Sequence, residues 1–217
     1  MGSAYTSLAF AAVFLILLFL LHFLKPELNP SWRMISEYEI GHFGWMMQLA
    51  FFFWGASVLA LLLSIWPSLQ SLSGTISRGW LVLIAIAQFG AGIFKTNPIT
   101  DNTPNPANTL HALCGAIVIL TFPIAATLAV RSLLHSPLWS AIQGPLVFTT
   151  ALLWVGMAAF FASIIISRRA DPSAGRVGPK VYLGWPNRFM VVAYTVWLII
   201  VAETALGFTV HNHLVLL

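Results

Sequence analysis

Six separate apolar segments occur along the chain, each near the length that an α-helix needs to cross a lipid bilayer, about 20 mostly apolar residues. They comprise residues 8–24, 45–66, 79–94, 110–130, 146–167 and 186–208. None alternates in polarity as the strands of a transmembrane barrel do. The pattern predicts an all-α fold, an integral membrane bundle of six transmembrane helices, with residues 1–217 forming a single domain.

The composition excludes several other classes of protein. Hydrophobic residues make up 59% of the chain and charged residues only 7%, too few to cover the surface of a water-soluble domain of this size. A net charge of +4 without a long basic run does not indicate nucleic-acid binding. A single cysteine excludes a cysteine-clustered metal site, and no HExxH or CxxC motif occurs, so we expect no bound metal; the sequence leaves other cofactors unknown.

The first apolar segment is predicted to be a retained helix. Its apolar run is long for a signal peptide, and no positive charge precedes it in "MGSAYTSLAF". An even number of spans then places the first, third and fifth connections, residues 25–44, 95–109 and 168–184, on one membrane face. With the first turn of the sixth span they contain eight of the ten basic residues: Lys25, Arg33, Lys95, Arg168, Arg169, Arg176, Lys180 and Arg188. The positive-inside rule predicts that this face is cytoplasmic and that both termini are extracytoplasmic.

The first connection contains "RMISEYEIGHFGWMM", an unusual concentration of titratable groups in such an apolar chain. One interpretation is a helix capping box, in which Ser36 caps the helix and Glu39 reaches back to a free backbone amide. It leaves Glu37, Tyr38 and His42 unexplained.

The third connection, "FKTNPITDNTPNPANTLH", is rich in turn-forming residues and contains Asp101. Asn108 or Thr109 is a suitable N-cap for the fourth helix, and places His111 in its first turn. The alternative for His111 is a hydrogen-bonded histidine at the membrane interface with no further function.

The fifth connection ends in "GWPNRFM", where Pro186 suits the first position of a helix and Arg188 falls in the first turn. The helix dipole disfavours a cation there, so we expect Arg188 to meet an anion: Glu37, Asp101 or a lipid phosphate. The alternative is that the arginine snorkels to the membrane interface.

These elements together resemble a prokaryotic membrane family catalogued as domain of unknown function 998. The resemblance rests on "ISEY…GHFGW", "FKTNP…D", "TLH" at the start of the fourth helix and "GWPNRF" at the start of the sixth, and extends over about residues 25–197. It implies a six-helix fold in the prokaryotic inner membrane and implies no activity. The sequence departs from the family pattern at Lys95, where proline is usual, and in the later position of Asp101.

The family resemblance and the even number of membrane spans both place the same polar residues on one membrane face. We predict an acid/base role for Glu37 and His111, and ligand binding by five further residues: Tyr38, His42, Asp101, Asn187 and Arg188. The alternative is that these are exposed loop residues with no common site.

Four functions are compatible with this pattern. The first is a site that binds or acts on a lipid-like or amphiphilic molecule, which requires an apolar groove leading from the bilayer to the polar cluster. The second is a small-solute transporter, although only Gln88 lies in the middle of a span. The third is a haem protein using His22 and His111, and the fourth is a non-catalytic scaffold or sensor. The expected partners are membrane lipids and a small amphiphilic ligand, and not nucleic acid.

Overall fold

The computed structural model describes residues 2–101, 103–171 and 178–215, with side-chain surroundings described as far as residue 207. Arg176, one of the basic residues in the charge count, lies outside the described residues. The described chain is helical and contains no strand. Its α-helices are α1 (Gly2–Leu24), α2 (Gly44–Ile65), α3 (Leu72–Ile93), α4 (Pro106–Leu133), α5 (Pro137–Ser140), α6 (Gln143–Ala170) and α7 (Gly184–Val215).

Six of these helices are long and apolar enough to cross a membrane, and α5 is a single turn between two of them. The protein is therefore a multi-pass integral membrane protein, and the predicted all-α bundle of six spans is confirmed. Two 3-10 helices, Ile35–Glu39 and Trp66–Ser68, lie in the connections.

Several helices begin or end beyond the predicted apolar segments. The helix α3 begins at Leu72, where the Ser71 side chain accepts a hydrogen bond of 3.2 Å from the amide of Gly74. The helix α4 begins at Pro106, and its N-cap is Asn105, which accepts from the amide of Ala107 at 2.9 Å, so the predicted caps at positions 108 and 109 were wrong. An apolar segment marks only the part of a helix inside hydrocarbon, whereas hydrogen bonding continues to the cap.

The centre of the bundle is formed by α2 and α7. In their apolar spans 56% and 61% of the residues are buried, against 28% in α1 and α6, which lie at the periphery. The helix α2 packs between α1 and α3, while α7 contacts α1, α2 and α6, and α4 packs on α3 and α6. Aromatic rings fill the junction of α4 and α7, where Phe122 stacks on Tyr194 with ring centroids 4.7 Å apart and meets Trp197 edge-on at 5.8 Å.

Pro123 lies inside α4 and leaves one backbone carbonyl without its helical donor. Proline has no amide hydrogen, so the carbonyl of Ile119, four residues earlier, receives no bond from position 123. The hydroxyl of Tyr194, from α7, donates to that carbonyl at 2.8 Å. In hydrocarbon an unpaired carbonyl has no water to bind, so this bond both stabilises the α4–α7 contact and makes the proline tolerable.

Replacing Tyr194 should therefore leave the Ile119 carbonyl without a hydrogen-bond donor. We expect Tyr194→Phe to lower the free energy of unfolding in detergent by about 1–3 kcal/mol, the range for a buried group left unpaired. In a Pro123→Ala background, where a helical amide is restored, the same change should cost clearly less. The measurement is reversible unfolding of the four-member mutant cycle, with Tyr5→Phe, at an exposed tyrosine, as control. Equal costs in both backgrounds would contradict this account.

Candidate functional site

The first connection folds across the end of the bundle and rests on the start of α7. The Gly184 amide donates to the carbonyl of Ser31 at 3.0 Å. A side chain cannot fit at Gly184, because a Cβ there would lie 2.3 Å from the carbonyl oxygen of Pro30 and 2.8 Å from that of Arg33. Glycine at this position lets the two backbones meet.

Arg188 fastens this contact. The side chain is 5% exposed, and its Nε donates to His22 Nε2 at 2.8 Å while Nη2 donates to the Tyr38 hydroxyl at 2.9 Å. Its Nη1 donates to the carbonyls of Arg33 at 2.7 Å, Gly184 at 3.1 Å and Pro30 at 3.3 Å. We call Arg188, His22 and Tyr38 the clasp, because they join α1, the first connection and α7.

The anion that we expected beside Arg188 is not a carboxylate of the described chain. All its hydrogen-bond acceptors there are uncharged, and neither Glu37 nor Asp101 is its partner, so those two predicted pairings were wrong. Arg188 can bind three separate groups because the guanidinium spreads five donors in a plane. Oriented carbonyl dipoles compensate the buried charge in place of a counter-ion.

Both ring nitrogens of His22 have hydrogen-bond partners. Its Nδ1 lies 2.7 Å from the carbonyl of Leu18, which can only accept, so Nδ1 carries the hydrogen. The lone pair on Nε2 then accepts from Arg188. In this arrangement His22 has no nitrogen left for iron, so the haem pair of His22 and His111 that the sequence left open is not formed.

Glu37 joins the first connection to the third. Its Oε1 accepts from the amide of Ile99 at 2.8 Å and pairs with Arg33 Nη1 at 2.9 Å, while its Oε2 accepts from the amide of Met34 at 3.0 Å. The glutamate that reaches back to the start of the 3-10 helix is therefore Glu37, and the predicted capping by Ser36 and Glu39 was wrong. These contacts confirm that the first and third connections share one face.

Glu39 is the titratable group that the sequence analysis had assigned to capping alone. It is 2% exposed; its Oε2 accepts from the amide of Thr96 at 3.2 Å and lies 3.4 Å from His111 Nδ1. Its Oε1 has no hydrogen-bond partner among the described residues. Burial raises the pKa of Glu39 to about 8, and the Thr96 hydrogen bond and the charge of Lys95 oppose this only in part.

The orientation of His111 is fixed by backbone carbonyls at the end of α3. Its Nδ1 lies 2.7 Å from the carbonyl oxygen of Phe94 and 3.1 Å from that of Ala91. Both oxygens can only accept, so Nδ1 carries the hydrogen and Nε2 carries a lone pair. The neighbouring ring of Phe51 packs against the imidazole, with centroids 5.8 Å apart.

His111 lines a cavity of about 370 Å³ inside the bundle. The walls are mostly apolar side chains from α2, α4, α6 and α7, among them Phe51, Val118, Phe160 and Met190. Its lining also includes polar side chains, namely Ser36, Gln88, Thr96, His111, Asn187 and Tyr194. On one side, Ala112, Ala116 and Leu120 of α4 and Phe161 of α6 line the cavity and are also exposed on the outer surface, so its opening lies between α4 and α6 on the side of the bundle.

A second, polar space adjoins the cavity between the first and third connections. This cleft has a volume of about 240 Å³ and is lined by polar residues that include Glu37, Thr96, Asn97, Asp101 and Asn108. Three residues, Met34, Ser36 and Thr96, line both spaces. The cleft and the cavity are therefore neighbours, one polar and one apolar.

The predicted site residues separate into four places. Glu37 and Asp101 line the cleft, His111 and Asn187 line the cavity, and Tyr38 and Arg188 form the clasp. His42 is exposed, packs edge-on against Phe43 and lines neither space.

Asp101 is held by its own loop. It accepts hydrogen bonds from the hydroxyl and amide of Thr103, which lower the pKa of the Asp101 carboxyl. Asn97 also donates to this carboxylate, at 3.4 Å. No three His, Cys, Asp or Glu side chains of the described chain come together as ligands for a metal ion.

Comparison with known families agrees with the resemblance seen in the sequence. The family described as Protein of unknown function (DUF998) matches residues 8–204. The chain belongs to this family. No curated protein and no solved structure matches it. The DUF998 match includes every residue of the clasp, the cleft and the cavity named above, and the family description assigns no activity to them.

The clasp should depend on the shape of arginine and not on its charge alone. We expect Arg188→Lys to lower the free energy of unfolding by about 2–4 kcal/mol, because one ammonium cannot reach His22, Tyr38 and the carbonyls together. Arg169→Lys, at an exposed arginine of α6, should have little effect. Thermal or denaturant unfolding in detergent measures both, and equal stability of the two variants would show that the fork geometry is unimportant.

Glu39 should make stability depend on pH. Its pKa is raised from 4.5 to about 8, so the folded state binds more protons than the unfolded state between these values. Its contribution is fully present below about pH 4.5 and is lost as the pH rises to about 8. Relative to Glu39→Gln, the wild type should lose stability across this window. Glu27→Gln, at an exposed glutamate, is the control, and parallel pH curves for wild type and Glu39→Gln would contradict the assignment.

Proposed function

We propose that this protein binds one amphiphilic, lipid-like molecule, with its tail in the cavity and its polar head in the cleft. The observation that carries the proposal is the junction of the two spaces, which share Met34, Ser36 and Thr96. The lining changes from polar in the cleft to mainly apolar in the cavity, just as an amphiphile changes from a polar head to an apolar tail. His111 lines the cavity, and the buried carboxyl of Glu39 lies behind it, 3.4 Å from His111 Nδ1.

The size and lining of the cavity favour a lipid tail over water. A volume of about 370 Å³ equals roughly twelve water molecules at about 30 Å³ each. Buried water needs two to four polar partners per molecule, and the mainly apolar walls offer too few. The sideways opening between α4 and α6 allows a lipid to enter without leaving the bilayer.

The transport alternative receives less support from the positions of the polar side chains. Gln48 donates to the carbonyl of Gly92 at 3.1 Å and is thereby engaged in joining α2 to α3. Glu203 lies nine residues beyond Tyr194 on α7, about 13 Å along the axis, and does not line the cavity. Gln88 and Tyr194 are the mid-span polar side chains named in the cavity lining, and Tyr194 is engaged by the Ile119 carbonyl.

We further propose that the cleft faces the cytoplasm from the inner membrane of a prokaryotic cell. The reasoning is the excess of lysine and arginine in the connections at this end, with Arg78 and Arg131 toward the other. Under this orientation the bound head is accessible from the cytoplasm and the tail from the bilayer.

Filling the cavity tests the proposal. Gly115 lines it, and a Cβ at this position meets no atom within 4 Å, so a side chain can be introduced there, and we expect Gly115→Phe to fill part of the cavity. Gly79 of α3 also has open space at its Cβ but lies outside the cavity lining, so Gly79→Phe is the matched control. We expect membrane lipid to be retained by the wild type and Gly79→Phe after extraction into nanodiscs, and to fall about tenfold in Gly115→Phe, a change of about 1.4 kcal/mol.

Mass spectrometry of the extracted lipid, relative to protein, gives the measurement. Equal retention of the same molecules by all three proteins would overturn the proposal, since lipid bound only to the outer surface is indifferent to the cavity. Capture of a polypeptide in place of lipid would favour the scaffold alternative.

A further inference from the structure

The head end of the cavity contains two polar side chains whose orientations are set by backbone groups. His111 Nδ1 faces the carbonyls of Phe94 and Ala91, which can only accept hydrogen bonds. Asn187 Oδ1 lies 3.1 Å from the amide of Ile35, which can only donate. The tautomer of the histidine and the direction of the asparagine amide follow from these partners.

Because His111 Nδ1 and Asn187 Oδ1 are engaged with backbone groups, the remaining polar atom of each side chain has a single hydrogen-bonding role. His111 presents Nε2 with a lone pair, an acceptor, and Asn187 presents its Nδ2 amino group, a donor. Neither atom has a partner among the described residues, and neither is sealed off from the cavity that both residues line. His111 and Asn187 therefore offer the cavity one acceptor and one donor of fixed identity.

Both side chains line the polar end of the cavity, and Asn187 bonds to Ile35, between the junction residues Met34 and Ser36, so the part of a lipid head next to its tail would lie there. His111 is five residues into α4 and Asn187 three residues into α7, which places them about 8 Å and 5 Å along their helices from the polar end. At this depth the environment changes from cleft to apolar cavity. A hydrogen bond here is largely shielded from water, so it contributes strongly to the selection of the ligand.

We propose that the ligand presents a free hydroxyl group at this point, donating its hydrogen to His111 Nε2 and accepting from Asn187 Nδ2. This inference rests on the proposed function and names the class of its ligand: a membrane alcohol. A hydroxyl is a small neutral group that donates and accepts at one atom. An ether or ester oxygen can only accept and would leave Nε2 unpaired. An ammonium can only donate and would leave the asparagine amino group without an acceptor.

The test compares three probes that share one hydrocarbon chain: a long-chain alcohol, its O-methyl ether and the corresponding primary amine. Each competes with a photoreactive analogue of the alcohol for labelling of the full-length protein in nanodiscs. We expect the wild type to prefer the alcohol over the ether by about tenfold, as for one hydrogen bond lost together with one group left unpaired. The amine should compete no better than the ether.

Variants at position 111 separate recognition of the hydroxyl from general packing. His111→Leu should abolish the preference for the alcohol, whereas His111→Gln, whose amide oxygen can take the place of Nε2, should keep part of it. Gly115→Phe should block labelling by every probe, because it fills part of the cavity itself. The comparison of the three probes on the wild type needs no variant, so poor folding of His111→Leu does not remove the test.

The outcomes distinguish this inference from the proposed function. Equal competition by alcohol and ether, with both blocked in Gly115→Phe, would overturn the hydroxyl assignment and leave lipid binding intact. Preference for the amine would also overturn it, and would indicate that the carboxylates of the cleft, Glu37 and Asp101, choose a cationic head. Labelling that Gly115→Phe leaves unchanged would overturn both.

Discussion

The buried guanidinium of Arg188 is the interaction on which the polar end of the bundle depends. Bringing a cation into a space that water does not reach is costly unless its donors are satisfied. Here that compensation comes from neutral groups on three parts of the chain: an imidazole on α1, a phenol and two carbonyls in the first connection, and a carbonyl on α7. Because each lies in a different direction, the fork fixes the connection in place against two helices.

The positions of Glu37 and Glu39 are consistent with that placement. With Tyr38 held by Arg188, the short 3-10 helix has a fixed orientation, and the glutamates on either side of Tyr38 turn toward the third connection. Glu37 meets Arg33 and two backbone amides and is engaged through both of its oxygens. Glu39 meets one amide and the ring of His111, which leaves its Oε1 unpaired and its pKa high. Two glutamates two residues apart thus differ in chemistry because burial and partners differ.

The sequence predicted the bundle well because a transmembrane helix is a local property. Six apolar runs require six helices, and parity alone brings the first and third connections to one face, as the bond from Glu37 to Ile99 shows. The partners within that face are not local. The hydrogen bond between Ile35 and Asn187 joins residues 152 positions apart, and no sequence pattern in either segment predicts it. The same limit applies to Arg188, whose position in a first turn suggested an anion, whereas folding supplied carbonyls.

The assignment of Glu39 to a capping box shows a different limit. Its spacing from Ser36 satisfies the capping pattern, and a pattern once satisfied gives no reason to look further. Glu39 differs from Glu37 because only one of its two oxygens is paired. Its surroundings are set by Thr96 and His111, from elements more than fifty residues away. A buried carboxyl that is incompletely paired has a stability cost, and Glu39 bears it next to His111, which lines the cavity.

The same backbone groups that position the cavity side chains also determine their chemistry. A histidine free to turn could donate or accept, and an asparagine free to flip could do either. In this protein the end of α3 and the 3-10 helix each supply a partner with a single possible role, so His111 can only accept from an occupant and Asn187 can only donate to it. Under the function proposed here, selectivity would reside in the fold, because a lipid with the same tail and a different head would leave these hydrogen bonds unmatched.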